Sequence, residues 1–264
     1  MTRFPAVLAV TALLAGCAGP RLTPAATPVK PNRDALLILP GFGYGRGDAD
    51  GFRAVARDAA ASGVDVYVPD YVTRGGLEIN RDKLNAFIRA QHLDRYERLH
   101  VFAFIAGAWT VNPLVDAGAL PNLATIVYDR SPFQERAPGI AVRDLRVPAW
   151  LRYGSTIFDV ARTPYPPLAR PDVKVAILVE TKPTTFIVHH ATAVNAAGPL
   201  AFDCDALGQR YDDCAYVPMT HDELYVRFAD VWPDVDAFIQ TGRFRAGAVR
   251  TPPADPARLL ARTR

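Results

Sequence analysis

The sequence predicts an α/β fold: a mostly parallel, doubly wound sheet with helices on both faces, in a single domain. Two observations predict it. Residues 35–39, 99–104 and 173–180 are nearly continuous apolar runs, the pattern of strands buried on both faces rather than one. Amphipathic helical patterns lie between such runs, and that alternation is what crossovers between parallel strands require. Half of the 264 residues are hydrophobic, enough for one substantial core. The formal charge of +3 is too small to argue for a nucleic-acid partner.

The chain opens with Met1-Thr2-Arg3, a minimal basic start, followed by residues 4–14, an apolar run too short to span a bilayer. It ends in Leu14-Ala15-Gly16-Cys17, which resembles the bacterial lipobox. The resemblance implies a signal peptide over residues 1–16, cleavage before Cys17 and lipid on that cysteine. Ala18 rather than an aspartate follows, which leans towards the outer membrane. The expected address is the bacterial cell envelope, lipid-anchored and facing the periplasm. Residues 17–33 carry four prolines among Ala and Thr and read as a tether. Cys204 and Cys214 remain; their short spacing in an exported chain suggests a disulfide.

The domain is expected over residues 34–242. A strand at 35–39 runs into Pro40-Gly41-Phe42-Gly43-Tyr44-Gly45-Arg46-Gly47, where four glycines let a backbone approach a ligand. No Lys-Ser/Thr follows and no G-x-G-x-x-G register is present, which excludes a nucleotide loop. Phe52, Val55, Ala56, Ala59 and Ala60 recur at helical spacing, stopped by Gly63. Residues 64–70 read as a strand, 80–91 as a helix with Leu84, Phe87 and Ile88 inward, and 99–104 as the next strand. The helix after it is expected to be poor, because Pro113 falls where its second turn should be. A strand at 123–129 follows.

Residues 134–170 break the rhythm: five prolines exclude long elements, and Trp150, Tyr153, Phe158 and Tyr165 are interleaved. Strands at 173–180 and 216–219 follow, and then a long helix from His221 to Thr241 with a kink expected at Pro233. Residues 243–264 form a basic Pro/Arg tail, with six arginines against Asp255, expected to be mobile.

The stretch from Leu99 to Ala108 resembles the nucleophile elbow of the α/β-hydrolases, a G-x-S-x-G turn between a strand and a helix. The frame fits with Ala103 and Gly107 at the glycine positions, and it places Ile105 where the nucleophile should stand. An isoleucine has no oxygen or sulfur with which to attack. Positive φ is costly for a β-branched residue, so either its neighbours force the turn or the turn has relaxed around an apolar pocket. By the same resemblance the glycine loop supplies one oxyanion N–H, from Phe42, and Ala106 supplies the other. The 134–170 segment stands where that fold places its cap, and Thr220-His221-Asp222-Glu223-Leu224 resembles the loop of the catalytic histidine, making His221 the candidate.

The acid is less well matched. Asp129 and Glu180, at strand ends, are candidates, with an Asp129–Arg130 ion pair as the plainer reading of the first. Ser131 and Thr110 lie near strand tops, away from an elbow. No C-x-x-C is present, and the adjacent His189 and His190 point apart, so no metal or cofactor is implied.

Two functions stay open. One is an envelope-anchored lipoprotein with a catalytically degenerate hydrolase fold, membrane-bound through Cys17, that holds an apolar small molecule or an envelope protein. The alternative is an atypical esterase or lipase in which His221 works without a serine.

Overall fold

The computed structural model describes residues 33–42, 44, 49–254 and 260. The proposed signal, Cys17, nearly all of the tether, parts of the glycine loop and three of the six tail arginines lie outside them. Six strands build one wholly parallel sheet: β1 (Asp34–Leu39), β2 (Val64–Tyr67), β3 (Arg98–Ala103), β4 (Leu123–Arg130), β5 (Lys174–Glu180) and β6 (Asp213–Val217). Their order is β2-β1-β3-β4-β5-β6. Ten helices are described: α1 (Ala49–Ala61), α2 (Leu77–Ala90), α3 (Ile105–Asp116), α4 (Ala137–Asp144), α5 (Arg146–Tyr153), α6 (Ser155–Arg162), α7 (Thr185–His189), α8 (Ala191–Ala196), α9 (His221–Val226) and α10 (Phe228–Thr241).

The alternation of side chains along a strand explains the two layers of helices. In β1, Leu37 and Leu39 pack with Leu84 and Ile88 of α2 and Val111 and Val115 of α3. Leu36 and Ile38 pack with Phe52 and Val55 of α1 and Phe228 and Val235 of α10 on the opposite face. The chain leaves β1 outward to β2 and returns to β3 on the other side. That reversal opens a crevice above the C-terminal ends of β1 and β3, where doubly wound sheets seat their ligands. No helix among the described residues is long and apolar enough to cross a membrane.

Several local expectations are corrected. The second strand ends at Tyr67 rather than at residue 70. The helix after β3 is continuous through Pro113. Proline forfeits one backbone bond there, but Val111, Leu114 and Val115 are buried around it, and tertiary burial outweighs local propensity. Gly107 lets α3 start this close to the sheet, because a Cβ there would stand 2.9 Å from Leu39 O.

The last helix breaks at Arg227 (φ −109°, ψ 24°), not at Pro233, which lies inside α10. The segment after Gly242 is packed rather than mobile as far as residue 254 is described. Phe244 is buried against Phe238, Tyr216 N–H donates to Val249 O, and Arg250 pairs with Asp213. These contacts cover the outer edge of β6, which would otherwise present unpaired backbone groups.

Residues 137–162 fold as the three eight-residue helices α4, α5 and α6. The joint between α5 and α6 is Gly154, at φ +63°, where a Cβ would overlap Arg74 O.

The Cys204–Cys214 disulfide is present and pins the excursion before β6. Closing so short a loop stabilises by roughly 3 kcal/mol. Denaturant unfolding with and without reductant should show a loss of that size; an unchanged midpoint would refute it.

Candidate functional site

A cavity of about 380 Å³ lies over the C-terminal sheet edge. Phe42, Ile105, Ala106 and His221 line it from the sheet side, and Ala137, Tyr153 and Ile157 line it from α4, α5 and α6. Phe42 reaches the helices directly, its ring edge-on to Tyr153 at 5.4 Å.

Ile105 is the first residue of α3, after Phe104 in extended conformation (φ −62°, ψ 159°). Among the described non-glycine residues only His92 has positive φ, so the strained elbow is absent and the turn has relaxed. Its isoleucine faces the cavity, as an apolar side chain does when nothing forces it elsewhere.

His221 opens α9, and the sequence fixes it there through a reciprocal cap. Thr220 Oγ1 accepts from Glu223 N–H at 3.1 Å, and Glu223 Oε2 accepts from Thr220 N–H at 2.8 Å. The imidazole Nδ1 lies 2.9 Å from Glu180 Oε1 and 3.2 Å from Asp129 Oδ2. Both carboxylates stand at the C-terminal ends of neighbouring strands and are fully buried. The expected Asp129–Arg130 pair is corrected: Arg130 turns away to Glu135, with its guanidinium over the Tyr165 ring at 4.0 Å.

Burial, reinforced by the charge of Asp129, pushes Glu180 up to about 8. Burial opposes the imidazolium of His221, but Glu180 and Asp129 outweigh it and hold the ring well above its ordinary range. The cluster thus keeps protons that the isolated groups would release. Asp129, Glu180 and His221 are also a group among the described residues whose donor atoms, all within 4.8 Å of one another, could surround a cation. A retained proton meets the same charge deficit.

Tyr225 was not legible as a site residue, although it stands four places after His221 on the same helix face. Its hydroxyl lies 3.5 Å from His221 Nε2 and accepts Gly41 N–H at 2.8 Å. Its ring stacks on Phe104 at 4.2 Å. The loop amide engaged here is therefore that of Gly41, beside the expected Phe42. Tyr71 holds the same loop from below by donating to Pro40 O at 2.6 Å.

Ser131 is buried, its Oγ accepting from Gln134 N–H at 3.2 Å, and Thr110 is buried in α3. His189 ends α7 and His190 packs on Phe186, apart from the cluster.

No protein-family profile and no curated sequence matches the chain. Solved structures do. The mature form of a Bacillus licheniformis lipase is similar over 81% of this chain and 93% of its own, with a TM-score of 0.52 at 11% identity. Est1E from Butyrivibrio proteoclasticus is similar over 80% and 89%, with a TM-score of 0.51 at 16% identity. An esterase from Pyrococcus furiosus is similar over 79% and 82%, with a TM-score of 0.50 at 12% identity. With these neighbours and its all-parallel six-stranded sheet, the chain has the α/β-hydrolase fold.

Proposed function

We propose that this protein is an envelope lipoprotein whose α/β-hydrolase domain has lost its catalytic nucleophile and binds an apolar small molecule in the cavity above the sheet. The observation that carries the reading is Ile105 at the strand-to-helix turn, lining the same cavity as His221. Supporting it, the Tyr225 hydroxyl occupies both the imidazole Nε2 side and a loop amide. Thr184, a cavity hydroxyl, is committed to Gln134 Oε1 at 2.9 Å.

A second reading, a hydrolase that activates water through His221, is favoured by one observation: the ring is held by two carboxylates, as an acting base would be. The experiment that separates them pairs two assays on the purified protein. A solvent-sensitive naphthalene probe should bind and be displaced by medium-chain fatty acids or alcohols, while a panel of chromogenic acyl esters gives no turnover. Ester hydrolysis that disappears in His221→Ala would favour the second reading.

Anchoring at Cys17 is part of the proposal and rests on the lipobox resemblance. The Cys17→Ser variant should remain uncleaved or leave the membrane fraction; unchanged lipid-dependent attachment would sink it.

A further inference from the structure

We propose that α5 is a membrane-docking helix, which lays the cap end of the domain on a phospholipid surface carrying anionic headgroups. This goes beyond the ligand reading and does not rest on it. Helix α5 presents Val147, Trp150 and Leu151 outward, 65%, 54% and 57% exposed, at i, i+3 and i+4, so they share one face. Leu145, just before it, is 36% exposed. On the opposite face Ala149 is buried, so the helix is seated by one side and leaves the apolar side chains of the other exposed, with the Arg74 guanidinium against Trp150. Exposed isoleucines and leucines occurring singly need no explanation; a tryptophan with two aliphatic neighbours on one short helix does.

The charges on the helix itself share one sign. Helix α5 carries Arg146 and Arg152 and no acidic residue. The Arg74 guanidinium stands 5.8 Å from the Trp150 ring centroid, and that of Arg146 stands 5.9 Å from Phe158. Two acids lie nearby: Asp144 is paired with Arg143, and Asp159 accepts the Leu77 N–H. An apolar face with tryptophan at its centre and arginines at its margin is the composition that lies in the interfacial zone of a bilayer. There the aliphatic residues enter the acyl boundary and the guanidinium groups meet phosphate or carboxylate headgroups.

The proposed attachment at Cys17 is compatible with this orientation. Arg33 stands at the N-terminal end of β1, and the cap at the other end. Residues 17–32 have a covalent reach of roughly 55 Å, against a sheet depth of roughly 20 Å, so the domain can turn its cap to the lipid.

The test uses the intact protein and reads Trp150 rather than overall binding, since an N-terminal anchor would carry the protein to vesicles by itself. The other two tryptophans, Trp109 and Trp232, are buried. Vesicles containing brominated acyl chains should therefore quench Trp150 alone. With about a third of the lipid anionic, quenching and a blue-shifted emission are expected, and Trp150→Phe should abolish both. On zwitterionic vesicles the apparent affinity should be about tenfold weaker.

The pair Val147→Asp with Leu151→Asp, on exposed positions that leave the core untouched, should also abolish quenching while the circular dichroism spectrum stays unchanged. Four results would overturn the proposal. These are no quenching on anionic vesicles, equal quenching on both lipid types, quenching that survives the aspartate pair, or a Trp150 shift that follows protein concentration without lipid. The last would assign the face to a second copy of the chain.

Discussion

Replacing His221 with alanine is expected to cost about 3–5 kcal/mol of stability, a large fraction of what a single domain possesses. The reason lies beneath the ring. Asp129 and Glu180 are fully buried, and among the described residues neither has an arginine or lysine partner. Their salt-bridge contacts run to His221 Nδ1, and among the described residues Asp129 Oδ1 and Glu180 Oε2 have no hydrogen-bond partner. Removing the imidazole leaves Asp129 and the proton-holding Glu180 buried side by side without the one group that contacts both, so the cost is that of unpartnered buried polar groups rather than of packing.

The same cluster sets a pH dependence. The folded protein holds the Glu180 proton up to about 8, whereas a glutamate in the unfolded chain releases it near 4.5. In that window the folded state binds more protons, so stability falls as the pH rises through it, by up to about 1.4 kcal/mol per pH unit for one proton. His221, raised by the carboxylates, adds a loss of the same sign from its ordinary value of 6.5 upward. Glu180→Gln cannot release that proton and should flatten the decline between pH 4.5 and 8. Denaturant midpoints of both proteins across this range measure the difference. Parallel pH curves for the two proteins, or wild-type stability in His221→Ala, would refute the assignment.

How much of this was legible in the sequence follows from the range of each interaction. The strands were legible because a strand buried on both faces must be apolar throughout, as residues 35–39 are. His221 was legible because its cap, Thr220 to Glu223, is local. The partnership of Asp129 with Glu180 was not, since it is created by the pairing of β4 with β5, which no short-range pattern records. Arg130 was assigned to its sequence neighbour for the same reason, although its partner stands five residues on, past a turn. The tail looked mobile because its arginines and prolines have no periodicity. Phe244 and the Arg250–Asp213 pair hold it through tertiary contacts only. Tyr225 had the right helical spacing, but its role depends on the approach of Gly41, 184 residues away in the chain.

The sharpest test of the missing chemistry is to restore a hydroxyl at Ile105 and then remove the one that stands in its way. Ile105→Ser deletes a buried side chain facing a cavity that cannot fully collapse, and should cost about 2–4 kcal/mol. Catalysis is not expected to follow from that change alone. His221 already has its carboxylates, so the orienting half of the machinery is present. Its Nε2 faces the Tyr225 hydroxyl at 3.5 Å, and that hydroxyl also consumes the Gly41 N–H at 2.8 Å. A serine at 105 would meet an occupied base and an occupied loop amide.

Adding Tyr225→Phe leaves the ring to stack on Phe104 while removing the oxygen, which clears both groups at once. The double variant should then be labelled by a serine-directed phosphonate, about 10²-fold faster than the Ile105 protein, and Ile105→Ser alone should stay near that background. The adduct is read as a mass shift on the peptide carrying residue 105. Equal labelling of the single and double variants would show that Tyr225 blocks nothing. No labelling of either would show that the relaxed turn, with α3 starting at residue 105 in ordinary helical geometry, holds the new hydroxyl out of reach of His221.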